Sequence, residues 1–232
     1  MKTVIFDLDH TLLNTNVLKE KICEILEMSE EEFDKSYREN FTSKGVKYSF
    51  EDHLRALRDV GSINSDIKLQ ALRKKFDEEL SSMDHLLYDG ALDLVLSEKA
   101  KGNKVILITL GKESWQKEKI NRLGSLKGLF DEICYEEKDK AGSDYLVELS
   151  RQDGDFVIIN DNIGETKKMV SVLNKEGQEG EAERCEVKIV KGIHSEKESA
   201  EESGYQFFEE VNNIPRTIKE PQAEAKHGFA IK

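Results

Sequence analysis

The sequence predicts an α/β protein: a doubly wound parallel sheet with an α-helical cap inserted after its first strand. Three observations predict it. Thr3 to Phe6 is a continuous apolar, β-branched run, which fits a strand covered on both faces. A long stretch of helical spacing follows, about 75 residues by periodicity alone. From Tyr88 onward strand-like and helix-like segments alternate, the pattern of a parallel sheet.

The first strand ends on Asp7 and Asp9, at the sheet edge where open α/β folds bind ligands. Behind it, Val17, Ile22, Ile25 and Leu26 can share one helical face. Ser29 with Glu32 makes a capping box for a second helix, and Ser49 with Asp52 starts a third. A fourth spans Asp66 to Leu80, with Ile67, Leu69, Leu72 and Phe76 near one side. A crossover between parallel strands normally holds one helix, so four read as an insertion.

The alternating part opens with Asp89-Gly90 before a helix from Ala91, which Gly102 closes. Strands are expected at Val105 to Thr109, Asp131 to Tyr135, Phe156 to Ile159 and Cys185 to Val190. Helices are expected around Trp115 to Leu123, Tyr145 to Leu149 and Ile163 to Leu173. Gly177 to Arg184 reads as an exposed loop, Ser195 to Ser203 as solvated helix or loop, and Tyr205 to Phe208 as an edge strand. The expected organisation is a core of residues 1–14 and 88–214, a cap of residues 15–87, and a flexible tail of residues 215–232.

Composition narrows the function classes. The 232 residues are 38% hydrophobic and 35% charged with two prolines, which fits a folded, helix-rich globule. The chain shows neither a spanning apolar run nor a secretory leader, so a cytoplasmic protein is expected. Cys23, Cys134 and Cys185 are distant and odd in number, which suits buried small hydrophobes better than a disulfide framework or zinc site. A net charge of −12 disfavours binding to nucleic acid or anionic membranes, so neither is an expected partner. An anionic substrate then needs a metal ion and a few placed lysines.

Three strands end in polar residues that could converge: Asp7 and Asp9, Thr109, and Asp161. Phe6-Asp7-Leu8-Asp9-His10-Thr11-Leu12, Ile108-Thr109-Leu110-Gly111, a lysine before a helix, and Asp161 with Glu165 together resemble the haloacid dehalogenase (HAD) superfamily, from Met1 to about Val190. The resemblance implies a HAD-like Rossmannoid core and phosphoryl transfer through an aspartyl-phosphate. It makes Asp7 the nucleophile and Asp9 the general acid and base. Thr109, with the Leu110 amide, would hold phosphate, and Lys140 or Lys138 would supply the fixed cation. Magnesium would be held by Asp7, the backbone carbonyl of Asp9, and Asp161, with Glu165 an outer-shell or additional acid. Asn160 and Glu165 stand where the family more often has Gly and Asp.

The expected function is a magnesium-dependent phosphatase acting on a small phosphorylated metabolite. A phosphomutase of sugar phosphates shares the same chemistry, and a non-catalytic binding module on the phosphatase fold is the rival from another class. His10 reads as a turn residue. His53, Lys44, Lys47 and Tyr48 lie in the cap, where they could meet a substrate but read rather as a solvated helix face or loop, and Trp115 reads as packing against the sheet or decorating a helix. The substrate and the oligomeric state are not legible.

Overall fold

A computed structural model describes residues 1–63, 65–174, 184–192 and 194–215. Six strands form one parallel sheet in the order β3-β2-β1-β4-β5-β6. They are β1 (Thr3–Phe6), β2 (Lys104–Leu110), β3 (Glu132–Glu136), β4 (Phe156–Asn160), β5 (Cys185–Val190) and β6 (Gln206–Phe208). β1 lies between β2 and β4, where the strand order reverses, so its carboxyl end opens into the crevice of a doubly wound sheet. Phe6 is level with Leu107 on one side and Ile159 on the other, which brings Asp7, Thr109 and Asp161 to one edge.

Side-chain alternation along β1 divides the core. Val4 and Phe6 belong to a large apolar cluster on one face, while Ile5 packs on the other with Ile106, Ile108, Leu146, Leu149 and Met169. The second face is covered by α8 (Asp144–Ser150) and α9 (Ile163–Leu173). On the first lie α5 (Ala91–Ala100), α6 (Glu113–Arg122) and the short α7 (Gly124–Lys127). α10 (Lys197–Glu202) packs Ala200 against Val187 and Ile189 of β5.

Four helices stand between β1 and α5: α1 (Thr15–Leu26), α2 (Glu30–Asn40), α3 (Phe50–Asp59) and α4 (Asp66–Glu79). Each begins on a residue whose side chain accepts a backbone N–H of the first turn, from Asn14, Ser29, Ser49 and Ser65. The two chain segments leading in and out pair with each other. Asn14 N–H donates to Leu86 O at 2.8 Å, Tyr88 N–H donates to Leu12 O at 2.9 Å, and Leu13 bridges Leu87. The helical block is not walled off from the sheet, because Phe50, Leu54 and Phe76 join the cluster that contains Val4 and Phe6. Phe50 and Phe76 stack at 4.1 Å, each burial worth about 1.5–3 kcal/mol.

Ion pairs staple α4 to α6. Arg73 bonds Glu118 at 2.6 Å, and Arg122 bonds Asp77 at 2.5 Å and Glu118 at 2.8 Å. The two guanidinium groups lie over the ring of Phe76 at 5.3 and 4.8 Å.

Several expectations change. Ile67 is exposed at the first turn of α4, which turns Leu72 and Phe76 inward instead. His53 is fully buried among Phe33, Phe41 and Tyr48, so it is not part of a solvated face. Of the cysteines, only Cys23 is buried; Cys134 and Cys185 are half-buried, and none of the three is in a disulfide. Two other readings hold: the charged segment from Ser195 contains a helix, α10, and the expected edge strand forms as β6. Most of the loop from Gly177 and of the tail lies outside the described residues. Among the described residues no helix is long and apolar enough to cross a membrane.

Candidate active site

The opening motif folds into a tight turn. The amides of Thr11, Leu12 and Leu13 all donate to Leu8 O, at 3.3, 3.0 and 2.9 Å. His10 takes a left-handed conformation, φ 59°, to close the turn, and its N–H donates to Leu13 O at 3.0 Å. The turn sends Asp7 and Asp9 to different neighbours.

Asp7 faces the sheet. Its Oδ1 accepts the Leu8 N–H at 2.7 Å and pairs with Lys140 Nζ at 2.7 Å, so both recorded partners sit on one oxygen. Lys140 is 1% exposed and pairs also with Glu165 Oε2 at 2.7 Å. Lys138, the alternative cation, is exposed to solvent. Burial raises the Asp7 pKa to about 6; the Lys140 charge opposes the rise and the Glu165 charge adds to it.

Asp9 faces α6. Lys119 Nζ lies 2.5 Å from both its oxygens, Gln116 Nε2 donates to Oδ2 at 3.0 Å, and Thr15 Oγ1 donates to Oδ1 at 3.0 Å. Burial pushes the carboxyl up, but the Lys119 charge and these hydrogen bonds outweigh it and hold the group below its ordinary range.

Thr109 and Asp161 complete the edge. Thr109 is fully buried and its Oγ1 has no hydrogen-bond partner, an unusual state for an enclosed hydroxyl. Leu110 turns its carbonyl to Gln116 Nε2 at 2.9 Å. Asp161 is 3% exposed and its Oδ2 is also unpartnered. Burial, with the Asp7 charge adding to it, raises its pKa to about 8.

Two buried carboxyls whose pKa values burial raises, one with an orphan oxygen, fit a hard divalent cation, whose charge favours their ionised forms. Among the described residues no three His, Cys, Asp or Glu side chains converge as a metal cluster. Magnesium needs no such cluster, since it is held by one or two carboxylates plus waters and substrate phosphate. Asp7 and Asp161 suffice as side chains, and the carboxylate of Asp9 is turned away to Lys119.

The chain from residue 4 to residue 142 matches the model of the haloacid dehalogenase-like hydrolases. It belongs to this family. No curated protein sequence matches the chain. Among solved structures, a candidate β-phosphoglucomutase from Thermotoga maritima superposes with a TM-score of 0.58 at 19% identity, over 91% of this chain and 95% of that one. A dehalogenase superposes with a TM-score of 0.60 at 11% identity, over 91% and 94%. The candidate HAD hydrolase YfnB of Bacillus subtilis, solved with magnesium, gives 0.52 at 17% identity, over 82% and 88%. At these identities the likeness shows the fold alone.

The family edge therefore gathers Asp7, Asp9, Thr109, Lys140 and Asp161, and leaves Lys138 outside. Sequence reasoning missed Gln116 and Lys119. A signal existed: on α6 both sit among Trp115 and Ile120 on the buried side, where a lysine and a glutamine need partners.

A cavity of about 650 Å³ opens beside this edge. Its floor is Asp9, Leu110, Gln116 and Lys119, and its roof comes from α1 and α2 through Leu18, Ile22, Phe33 and Tyr37. Trp115 in its wall touches Tyr48 and Phe76, at 5.8 and 5.9 Å between ring centres, so it bridges sheet helix and helical block.

Proposed function

We propose that this HAD-family hydrolase is a magnesium-dependent phosphatase that hydrolyses a small phosphomonoester through an aspartyl-phosphate on Asp7. One observation carries the reading: a nucleophile and a second acid stand two residues apart, each with its own lysine. The second acid favours phosphate esters over haloacids, because protonating an ester leaving group needs a positioned acid and expelling halide does not.

Lys140 and the Leu8 amide occupy Asp7 Oδ1, which leaves Oδ2 to attack phosphorus. As that oxygen–phosphorus bond forms, the bond to the alcohol oxygen breaks, and Asp9, which must first leave Lys119 and take up a proton, delivers that proton there. Asp9 then takes a proton from water, whose oxygen attacks the phosphorus and releases Asp7 and inorganic phosphate. The Thr109 hydroxyl, free of other partners, would hold a phosphoryl oxygen. When bound by Asp7, Asp161 and the Asp9 carbonyl, magnesium supplies positive charge that keeps Asp7 ionised and balances the phosphoryl group. The helical block over the cavity serves as a cap that shields the reacting centre from bulk water.

The test is turnover of p-nitrophenyl phosphate with magnesium. Asp7→Asn is expected to lower kcat by at least about 10³-fold; unchanged turnover refutes the reading. A mutase would return phosphorylated sugar rather than inorganic phosphate, so product analysis with sugar phosphates separates the two.

A further inference from the structure

Lys119 forms part of the cavity floor, yet its side chain is 3% exposed. Among the described residues its only ion-pair partner is Asp9, both of whose oxygens it holds at 2.5 Å. Gln116 and Thr15 fix the same carboxylate, so Asp9 is turned toward α6 and α1. To protonate a leaving oxygen, Asp9 must exchange these partners for the substrate. That exchange strips Lys119 of its counter-charge. A buried ammonium without a partner is costly, so Asp9 leaves readily only if another anion takes its place.

The rest of the cavity carries the same sign. Lys47 lines it as well and has no ion-pair partner among the described residues. Lys19, also in the wall, is already matched by Asp34 at 2.7 Å and Glu30 at 3.5 Å. Among the described residues the acids lining the cavity are Asp9 and Asp34, both already paired. In a chain of net charge −12, a cavity with cations to spare is built for anions beyond the one phosphate that Lys140 and Thr109 face.

Building on the phosphatase reading, we propose that the substrate is a phosphomonoester whose leaving group bears a second anionic group, and that this anion replaces Asp9 on Lys119. The second anion is a carboxylate or a further phosphate. Lys119 thereby couples recognition to chemistry: the correct leaving group frees the Asp9 carboxyl to reach the leaving oxygen, and a neutral one leaves it clamped.

A matched three-carbon series tests this: 3-(phosphonooxy)propanoate, 1,3-propanediol bisphosphate and 3-hydroxypropyl phosphate, whose leaving group is neutral, each assayed with magnesium. At least one doubly anionic ester is expected to exceed the hydroxypropyl ester in kcat/KM by about tenfold or more, and which one does so identifies the anion. Lys119→Met is expected to bring that ratio close to one, and Lys119→Arg to preserve it. Any general effect of the variants on Asp9 is common to all three esters and cancels in the ratio. Equal turnover of the three by the wild type, or a preference that survives Lys119→Met, overturns the inference and leaves the phosphatase reading intact. Should Lys119→Met turn over nothing, calorimetric binding to Asp7→Asn and to Asp7→Asn/Lys119→Met decides. Selective weakening of the preferred anionic ester in the double variant supports the inference, and equal affinities refute it. If the wild type hydrolyses neither this series nor p-nitrophenyl phosphate, the phosphatase reading fails and the inference falls with it.

Discussion

Asn160 Nδ2 donates to Glu165 Oε2 at 3.1 Å, so the two positions at which the chain departs from its family's commoner Gly and Asp are bonded to each other. The same Glu165 oxygen holds Lys140, which in turn holds Asp7. Glu165 thus acts on the site through Lys140, fixing the cation that faces the nucleophile. Removing Glu165 would leave Lys140 with Asp7 alone and Asn160 with an unpaired amide. Glu165→Ala is expected to lower stability by about 2–3 kcal/mol. Combined with Asn160→Ala in a urea-unfolding cycle, it should show a coupling of about 1 kcal/mol. Strict additivity would mean that the two residues do not act as a unit.

Asp7 and Asp161 give the metal-free protein an unusual pH dependence. Their folded pKa values, about 6 and about 8, lie above the ordinary 3.8. Between roughly pH 4 and 8 the folded state therefore binds more protons than the unfolded one, and their contribution to stability falls as pH rises. Asp9 has the opposite sign, but it acts only as pH falls below the ordinary carboxylate range. In EDTA, Asp161→Asn is expected to gain on the wild type across this window by on the order of 2 kcal/mol. Added magnesium should remove most of the difference in slope, since a cation favours the ionised carboxylates. Parallel stability curves for the two proteins would contradict the assignment.

His53 places a second pH dependence in the helical block. Its Nε2 lies 2.9 Å from Ser36 Oγ, and burial lowers its pKa from the ordinary 6.5 to about 4. The folded state resists a proton that the unfolded state accepts, so stability is lost as pH falls from 6.5 toward 4. Trp115, the only tryptophan, contacts Tyr48, which packs on His53, and its emission reports on this region. The wild type should lose about 2 kcal/mol over that range, with His53→Gln showing a shallower loss by Trp115 fluorescence in urea. Identical acid profiles would exclude His53 as the cause.

The parts of this molecule that were legible in its sequence are those decided locally. The run Thr3 to Phe6, the capping box at Ser29 and the alternation after Tyr88 each carry their own short-range cause, and the corresponding elements form there. Asp7, Thr109 and Asp161 were legible because strand ends at a sheet reversal must meet. Lys140 was preferred to Lys138 only from its spacing to the helix that follows, whereas its contact with Asp7 depends on how the loop after β3 turns. Lys119 lies 110 residues from Asp9, and only the packing of α6 beside the β1 turn brings the two together. His53 was misread for the same reason: Phe33 and Phe41, which enclose it, come from α2 and its carboxyl end.

Gly192 offers a way to test Asp161 without altering any carboxylate. A Cβ at position 192 would lie 2.5 Å from Asp161 Oδ2, 2.6 Å from its Cβ and 2.9 Å from its Cγ. The obstacle includes the root of the side chain, so rotating the carboxyl away cannot relieve it, and Asp161 or the loop after β5 must shift. Gly192→Ala is expected to weaken magnesium binding by about 10–100-fold, the range found when the support of a metal ligand is disturbed. Gly128→Ala, where a Cβ meets nothing within 4 Å, is the matched control and should bind as the wild type does. Calorimetric titration with magnesium chloride reads both, and circular dichroism confirms that each variant is folded. A folded Gly192→Ala protein with undiminished magnesium affinity would remove Asp161 from the set of ligands.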